Sequence, residues 1–208
     1  MIAVVRTFNA TGLSVGTSGN ASVRVGQNVL ITPSAVPYED LSPADLVELD
    51  MHGNVVSGNL APSTEWHFHA AIYRARTDIN AIVHVHSPYA TALACTRKGI
   101  PAFHYMVAKA GGSCIECARY ATFGTPELAE NAVTALGDRK ACLLANHGML
   151  AVGTDPATAL AMARDVEELA RQYSYCLQAG DPVLLDEAEM QTNVEKFRHY
   201  SQPGHSES

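Results

Sequence analysis

The stretch Ala81-Ile82-Val83-His84-Val85-His86 is an apolar run rich in β-branched residues, with histidines at two alternate positions. Such a run predicts a buried β-strand, and side chains two positions apart on a strand point to the same face of the sheet. The two imidazoles therefore project together, while Val83 and Val85 face the opposite side. Paired imidazoles on a strand indicate a metal site.

A third histidine follows another strand-like run. His147 comes directly after Ala141-Cys142-Leu143-Leu144-Ala145, and a neighbouring strand could carry it into the same space as His84 and His86. Three neutral imidazoles with an open fourth position form the arrangement of a catalytic zinc ion. We therefore predict that His84, His86 and His147 bind one metal.

A second His-x-His pair has the same spacing but a different context. His67-Phe68-His69 follows Pro62-Ser63-Thr64-Glu65 and leads into Ala70-Ala71-Ile72-Tyr73-Arg74, which reads as a helix. On a helix, residues two apart do not face each other. We reject this pair as a metal site.

Glu65 lies at the start of that predicted helix. A carboxylate in the first turn is favoured by the helix dipole, which is sufficient as a structural explanation. Beside a metal, the same carboxylate could serve as a fourth ligand or as a general base. Both roles stay open from the residues alone.

Composition excludes several classes of function. The chain has 208 residues, 47% of them hydrophobic, and a formal net charge of −7. An acidic chain without Lys/Arg clusters does not predict a nucleic-acid partner or an anionic membrane surface, and no apolar run approaches a membrane span. The N-terminus lacks the features of a signal peptide. The five cysteines form no disulfide framework, which favours a cytoplasmic protein.

Cys114-Ile115-Glu116-Cys117 is an isolated C-x-x-C motif. It could form half of a zinc site or a redox pair, but it has no second pair and no thioredoxin-like context. We interpret it as two ordinary reduced thiols.

The predicted elements mix strands and helices. Two β-hairpins are expected early, with strands at 21–25 and 29–32 and at 46–50 and 54–56. Helices are expected at about 64–76, 88–98, 126–137, 156–179 and 187–199, the first, third and fourth with Ser63, Thr125 and Asp155 as N-caps. This order predicts an α/β fold of the α+β type, with a central, largely antiparallel sheet flanked by helices. We expect one domain over residues 1–208, ending in a flexible tail at about 201–208.

Small polar loops surround the predicted metal site. Gly16-Thr17-Ser18-Gly19-Asn20 enters the first hairpin, Thr32-Pro33-Ser34-Ala35 leaves it, and Pro62-Ser63-Thr64 opens the helix that carries Glu65. Helix N-termini and glycine-containing loops offer free N–H groups to an anion. Each loop alone is more typical of a turn or cap, but three beside a three-histidine site favour phosphate binding.

At these residues the chain resembles the class II, zinc-dependent sugar-phosphate aldolases typified by L-fuculose-1-phosphate aldolase. The resemblance extends over nearly the whole chain. It is carried by the motifs above together with the segments Ile100-Pro101-Ala102-Phe103-His104-Tyr105-Met106, Tyr120-Ala121-Thr122-Phe123-Gly124-Thr125 and Glu195-Lys196-Phe197. Two small departures occur, because Ala35 stands where the fuculose enzyme has Gly, and Thr64 where it has Ser.

The resemblance implies roles for particular residues. His84, His86 and His147 match the zinc ligands of the family, although cobalt or manganese also suits three imidazoles. Glu65 matches a carboxylate that coordinates the metal at rest and acts as acid and base in turnover. Tyr105 matches a tyrosine that reaches a neighbouring subunit's site, and Tyr200 a C-terminal tyrosine that closes over one. The phosphate-binding positions implied are Gly19, Asn20, Ser34, Ser63 and Thr64.

The resemblance also implies the activity. It predicts a cytoplasmic homotetramer with active sites between subunits, an aldehyde-lyase that cleaves a ketose 1-phosphate of the L-fuculose 1-phosphate type to dihydroxyacetone phosphate and an aldehyde such as L-lactaldehyde. A sister aldolase for 5-deoxyribulose or 5-methylthioribulose 1-phosphate would share every residue discussed. The related ribulose-5-phosphate 4-epimerases typically carry Asp at the position of Glu65, and methylthioribulose-1-phosphate dehydratases differ over the 100–125 block. A non-enzymatic domain like the adducin head would lack the metal residues.

Overall fold

A computed structural model describes the backbone of residues 1–200 and the side chains of residues 1–199. The predictions for the tail at 201–208 and for the side chain of Tyr200 lie outside these described residues.

An eight-stranded sheet forms the centre of the molecule. Its strands are β1 (Asn20–Val25), β2 (Asn28–Ile31), β3 (Val47–Asp50), β4 (Val55–Ser57), β5 (Ala81–Val85), β6 (Cys117–Ala118), β7 (Ala141–Leu144) and β8 (Gly148–Gly153). They lie in the order β4-β3-β2-β1-β5-β8-β7-β6. Every neighbouring pair is antiparallel except β6 and β7, which are parallel. The prediction of a mixed, largely antiparallel sheet that begins with two hairpins is confirmed.

The five predicted helices are present, within three residues of their expected ends. The helices are α1 (Ile2–Val5), α2 (Thr7–Ala10), α3 (Trp66–Ala75), α4 (Pro88–Cys95), α5 (Pro126–Leu136), α6 (Pro156–Ala179) and α7 (Glu187–Tyr200), with 3-10 turns at Pro43–Asp45 and Tyr105–Ala110. The short helices α1 and α2 were not expected.

The N-cap predictions have mixed outcomes. Thr125 and Asp155 accept backbone N–H groups at the starts of α5 and α6, as predicted. The prediction for Ser63 is wrong, because α3 starts later and its N-cap is Glu65. Ser63 Oγ instead accepts the backbone N–H of Glu65 at 3.3 Å, so it stabilises the turn that precedes the helix.

Helices cover both faces of the sheet and enclose two hydrophobic cores. One core lies between the sheet and α1, α2, α4, α6 and α7, and the other lies between the sheet and α3 and α5. Strand β5 contributes to both, because Val83 and Val85 belong to the first core and Ile82 to the second. Fully burying one such aliphatic side chain stabilises the fold by about 1.5–3 kcal/mol. The predicted alternation along this strand is confirmed.

Two further features bear on the class of protein. Among residues 1–200, no helix has both the length and the apolar character needed to cross a membrane. All five cysteines are free.

Candidate active site

Four side chains converge at one end of the sheet. One ligand-type atom from each of Glu65, His84, His86 and His147 lies within 4.8 Å of the other three. The Nε2 atoms of His84 and His86 are 2.9 Å apart, and Glu65 oxygens lie 3.1 Å from Nε2 of His84 and of His147. The three sequence segments predicted to form one site are therefore brought together.

The sheet topology explains this convergence. His84 lies on β5, His86 follows the end of that strand, and His147 lies in the turn between β7 and β8. Strand β8 pairs with both β5 and β7, so the β7–β8 turn is held beside the end of β5. This strand was not expected from the sequence, and it is the element that places His147.

Two glycines allow the surrounding backbone to approach the histidine strand. A Cβ at Gly19, which has φ +96°, would lie 2.6 Å from the carbonyl oxygen of His84. A Cβ at Gly148 would lie 2.5 Å from the carbonyl oxygen of Val85 and 2.9 Å from the His86 ring. Neither gap admits a side chain, so both positions need glycine.

A backbone hydrogen bond sets the orientation of His84. Its ring is fully buried, and Nδ1 lies 2.9 Å from the carbonyl oxygen of Met149. A carbonyl oxygen only accepts, so Nδ1 carries the proton and donates it. In the neutral ring Nε2 then presents its lone pair to the cluster, which is the state required of a metal ligand.

Glu65 is held differently at its two oxygens. Oε2 accepts a hydrogen bond of 3.0 Å from Asn20 Nδ2, whereas Oε1 is buried and forms no hydrogen bond with any described residue. Burial alone would raise the pKa of this carboxyl group, but His84 and His147 outweigh that effect and hold the pKa well below its usual range. Glu65 is therefore an ionised carboxylate, with Oε2 held by Asn20 and Oε1 facing His147.

These residues fit a divalent metal ion. Imidazole nitrogen and carboxylate oxygen are the ligands of zinc and related ions. The buried Oε1 of Glu65 has no hydrogen-bond partner among the described residues, and a cation would satisfy it. Burial, followed by the neighbouring His84 and His147, lowers the pKa of His86 to about 4, so its ring is neutral and able to coordinate at physiological pH.

A cavity of about 460 Å³ opens beside the cluster. Its wall includes Glu65, His86 and His147, together with all five predicted phosphate-binding residues, which are Gly19, Asn20, Ser34, Ser63 and Thr64. The polar loops and the metal-type cluster therefore share one cavity.

Most polar side-chain atoms of these loops are already engaged. Ser34 Oγ donates to the carbonyl oxygen of Pro62 at 2.9 Å, and the Tyr38 hydroxyl lies within hydrogen-bond distance of the carbonyl oxygens of Ser18 and Gly19. These bonds stabilise the loop shapes. Ala35 adopts φ +58°, a conformation that glycine tolerates better and that accounts for the Gly of the fuculose enzyme at this position.

A chain of hydrogen-bonded buried side chains, which was not predicted from the sequence, lies behind Glu65. Tyr73 OH lies 2.9 Å from Ser22 Oγ, Ser22 Oγ lies 2.7 Å from His69 Nδ1, and His69 Nε2 lies 2.6 Å from Asn20 Oδ1. Burial lowers the pKa of His69 to about 3. One signal was available, because the alternation along β1 places Asn20 and Ser22 on one face, opposite Ala21 and Val23.

Aromatic and basic residues at the cavity rim were also not assigned. Tyr120 and Phe123 line the cavity and are half or more exposed. Asn146, in the left-handed region at φ +53°, accepts a 2.8 Å hydrogen bond from Arg97 Nε, and the Arg97 guanidinium lies over the Tyr120 ring. This group shapes the side of the cavity opposite the polar loops.

Other predicted residues lie away from the cavity. Tyr105 is 49% exposed and does not line the cavity of its own chain. Lys109 forms an ion pair with Asp165. Burial raises the pKa of the Cys114 thiol and raises that of Cys117 to about 11. Both cysteines are free, in agreement with two ordinary thiols.

Comparisons with known proteins identify one family over most of the chain. The model of the Class II Aldolase and Adducin N-terminal domain family matches residues 1–174. The 5-methylthioribulose-1-phosphate/5-deoxyribulose-1-phosphate aldolase of Rhodospirillum rubrum is 49% identical over 200 residues, which span 96% of this chain and 90% of the relative. The L-fuculose phosphate aldolase of Escherichia coli is 47% identical over 190 residues, or 91% of this chain and 88% of the relative.

A solved structure gives the same result in three dimensions. An L-fuculose 1-phosphate aldolase superposes with a TM-score of 0.92 at 43% identity, covering 95% of this chain and 93% of the other.

Proposed function

The chain belongs to the Class II Aldolase and Adducin N-terminal domain family and is a class II aldolase, and on this premise we propose that it cleaves a ketose 1-phosphate between C3 and C4. The products would be dihydroxyacetone phosphate and an aldehyde. The first candidate substrate is L-fuculose 1-phosphate, whose aldehyde product is L-lactaldehyde. Zinc is the metal we assign, and the five free cysteines fit a reducing cytoplasm.

One observation carries this proposal. The cavity joins a three-imidazole, one-carboxylate cluster to the polar loops around Gly19, Ser34 and Ser63. A sugar phosphate that spans this cavity would place its phosphate in the loops and its carbonyl and C3 hydroxyl oxygens against the cluster. Carbon atoms C3 and C4 of the substrate would then lie beside the carboxylate of Glu65.

The residues that would hold the metal are Glu65, His84, His86 and His147. A divalent ion bound there would supply a Lewis acid that stabilises negative charge on the substrate's oxygen atoms. Cobalt or manganese would suit the same donor set.

Proton transfer is assigned to two residues of this chain. In cleavage the C4 hydroxyl loses its proton, the C3–C4 bond breaks with its electron pair left on the C3 fragment, and C3 gains a proton. We assign Glu65 as the group that takes up a proton from solvent water and delivers it to C3, and that removes the proton from C3 in the condensation direction. Tyr105 of a neighbouring subunit would exchange the proton at the oxygen of the aldehyde fragment.

The role of Tyr105 requires an oligomer, and we propose a homotetramer with active sites between subunits. Its 49% exposure and its position outside its own cavity support a contact with a neighbouring chain. We expect Tyr105→Phe to slow the release of aldehyde more than the exchange of the C3 proton of dihydroxyacetone phosphate. An equal loss in both reactions would argue against this role, and Tyr120→Phe at the cavity rim is a control for general disturbance.

A second candidate substrate has its own support. The Rhodospirillum rubrum relative that acts on 5-methylthioribulose 1-phosphate and 5-deoxyribulose 1-phosphate is 49% identical to this chain, a level similar to that of the fuculose enzyme. These substrates carry an apolar aldehyde end. The exposed aromatic rings of Tyr120 and Phe123 at the rim could accept such an end.

The experiment is an assay of dihydroxyacetone phosphate release with matched substrates. L-fuculose 1-phosphate, 5-deoxyribulose 1-phosphate and 5-methylthioribulose 1-phosphate are compared, each with and without a metal chelator. We expect release that the chelator abolishes and added zinc restores, and the ranking of kcat/KM identifies the aldehyde. If no substrate releases dihydroxyacetone phosphate although metal is bound, the proposed reaction is wrong.

A further inference from the structure

The buried polar chain behind Glu65 has a defined direction. Glu65, as a carboxylate, only accepts hydrogen bonds, so the group of Asn20 that faces Oε2 at 3.0 Å must be its NH₂. Asn20 Oδ1 then faces His69 Nε2 at 2.6 Å and must receive an N–H from it. His69 therefore carries its proton on Nε2.

The other end of the ring agrees with this tautomer. With the proton on Nε2, Nδ1 of neutral His69 is an acceptor, and the Ser22 hydroxyl donates to it across 2.7 Å. Tyr73 can in turn donate to Ser22 Oγ across 2.9 Å. Every link then has one donor and one acceptor, whereas the opposite tautomer would turn the Asn20 carbonyl oxygen toward the Glu65 carboxylate.

The chain is fixed by its surroundings as well as by its bonds. His69 and Ser22 are 0% and 1% exposed, and Asn20 is 3% exposed. Asn20 lies directly opposite His84 in the β1–β5 pairing, so its backbone position is set by the same strand that carries the cluster. Within the described residues, the amide of Asn20 can exchange its two ends only if the His69 ring also changes its proton.

We propose that His69 is a positioning residue for the aldol reaction: as the Nε2–H tautomer it orients the Asn20 amide, whose NH₂ holds Oε2 of Glu65 and so sets the orientation of the carboxylate that exchanges the proton at C3. This inference rests on the proposed function, in which Glu65 is the acid and base. It assigns a role to the one member of the rejected His-x-His pair that lies next to the cavity wall.

Two substitutions at position 69 separate the two ring nitrogens. In His69→Gln the side-chain amide reaches the position of Nε2 and can donate to Asn20. In His69→Asn the shorter amide reaches only the position of Nδ1, so it can contact Ser22 but leaves Asn20 without its donor. The control is Tyr73→Phe, which removes a buried hydroxyl from the same chain and leaves the Ser22–His69–Asn20 bonds intact.

The kinetic experiment uses the zinc-loaded, full-length chain and the substrate with the highest kcat/KM. We expect His69→Asn to lower kcat by roughly 10- to 100-fold, the usual effect of removing an outer partner of a metal-site ligand, while KM and bound zinc change little. His69→Gln should restore most of kcat, and Tyr73→Phe should lower thermal stability without lowering kcat.

A separate measurement tests the tautomer without any assay of activity. The ¹⁵N chemical shifts of the His69 ring should show a protonated Nε2 and a bare Nδ1 in the wild type and in Tyr73→Phe. A protonated Nδ1 would overturn the proposal.

The remaining outcomes are also decisive. Equal kcat values in the two position-69 variants, or a change in KM alone, would show that the buried polar side chains do not act through Glu65. Loss of zinc in His69→Asn would show that it assembles the ligands rather than orienting the base. If the wild type releases no dihydroxyacetone phosphate from any substrate, the proposed function fails and this role fails with it.

Discussion

Two segments of the chain carry the same His-x-His spacing and use it differently. His84 and His86 leave the end of β5 with ring centroids 4.8 Å apart and join the metal-type cluster. His67 and His69 lie on α3, where two positions correspond to more than half a turn. His67 is half-buried and stacks on Trp66, whereas His69 is fully buried in the polar chain.

The difference teaches that spacing has meaning only together with the element that carries it. A strand end turned both imidazoles toward one point, while a helix sent them to opposite sides. The two rings of the second pair nevertheless differ in their surroundings. His67 is half-buried beside Trp66, whereas His69 contacts Asn20 at the site. The prediction that α3 is a helix is confirmed, but rejection of the pair as metal ligands does not make His69 inert.

The largest expected effect comes from exchanging one member of each pair for alanine. His86→Ala should abolish metal binding and dihydroxyacetone phosphate release, a loss beyond the roughly 10- to 100-fold caused by outer-shell changes. His67→Ala, the half-buried member of the other pair, should keep both. Metal content and release are measured on the purified variants. A fully metallated, active His86→Ala enzyme would remove the distinction between the pairs.

The next effect concerns the residue that both pairs reach. Glu65 lies 3.1 Å from His84 Nε2 and connects to His69 through Asn20. Glu65→Gln keeps the size of the side chain but removes its basicity, so we expect kcat to fall by roughly 10²- to 10⁴-fold. The fold and part of the metal should remain. Circular dichroism and metal analysis check this, and near-wild-type turnover would exclude Glu65 as the base.

A smaller effect is the contribution of His69 to the pH dependence of stability. Burial lowers its pKa in the folded protein to about 3, whereas an unperturbed histidine has a pKa of about 6.5, so between these values the unfolded chain binds a proton that the folded chain does not. Stability is therefore lost as pH falls through this window, by at most about 1.4 kcal/mol per pH unit.

The test is urea unfolding of metal-free protein at a series of pH values from 7 to 4. The stability difference between the wild type and His69→Gln should narrow as the pH falls, because only the wild type has this imidazole to protonate on unfolding. Parallel curves for His69→Gln would contradict a buried neutral ring.

The smallest change in stability and activity is expected for the substitution of His67. His67 stacks on Trp66 with ring centroids 3.9 Å apart. Its replacement by alanine should cost about 0.5–1.5 kcal/mol of stability, the range measured for aromatic pairs, without changing kcat. Thermal unfolding gives the stability change, and a drop in kcat would mean that His67 also contributes to the reaction.

The sequence predicted those parts of the molecule that depend on local patterns. The β5 run, the capped starts of α5 and α6 and both hairpins follow from periodicity and turn chemistry within about ten residues. The helices α1 and α2 have four residues each, too few to show a periodic pattern. The cap at Ser63 was misplaced because the chain makes a further turn before α3 begins.

The sequence predicted which individual residues would lie at the candidate site. All four cluster residues and the five loop positions lie at the cavity or beside it. What was missed depends on contacts between segments distant in the chain: Asn20 and His69 are 49 residues apart, and Ser22 and Tyr73 are 51 apart. Such pairs are set by tertiary packing, and periodicity does not reveal them.

The position of Glu65 at the N-cap of α3 also has a consequence for local unfolding. Helix ends normally fray, and a catalytic group placed there would be lost with each opening of the first turn. Here Oε2 is tied to Asn20, and Asn20 to His69 one turn further into the same helix. The end of the helix is thereby fastened to its interior through a strand of the sheet. The first N–H groups of α3 that have acceptors within the helix should accordingly exchange as slowly as those in its middle, without the gradient that free helix ends show.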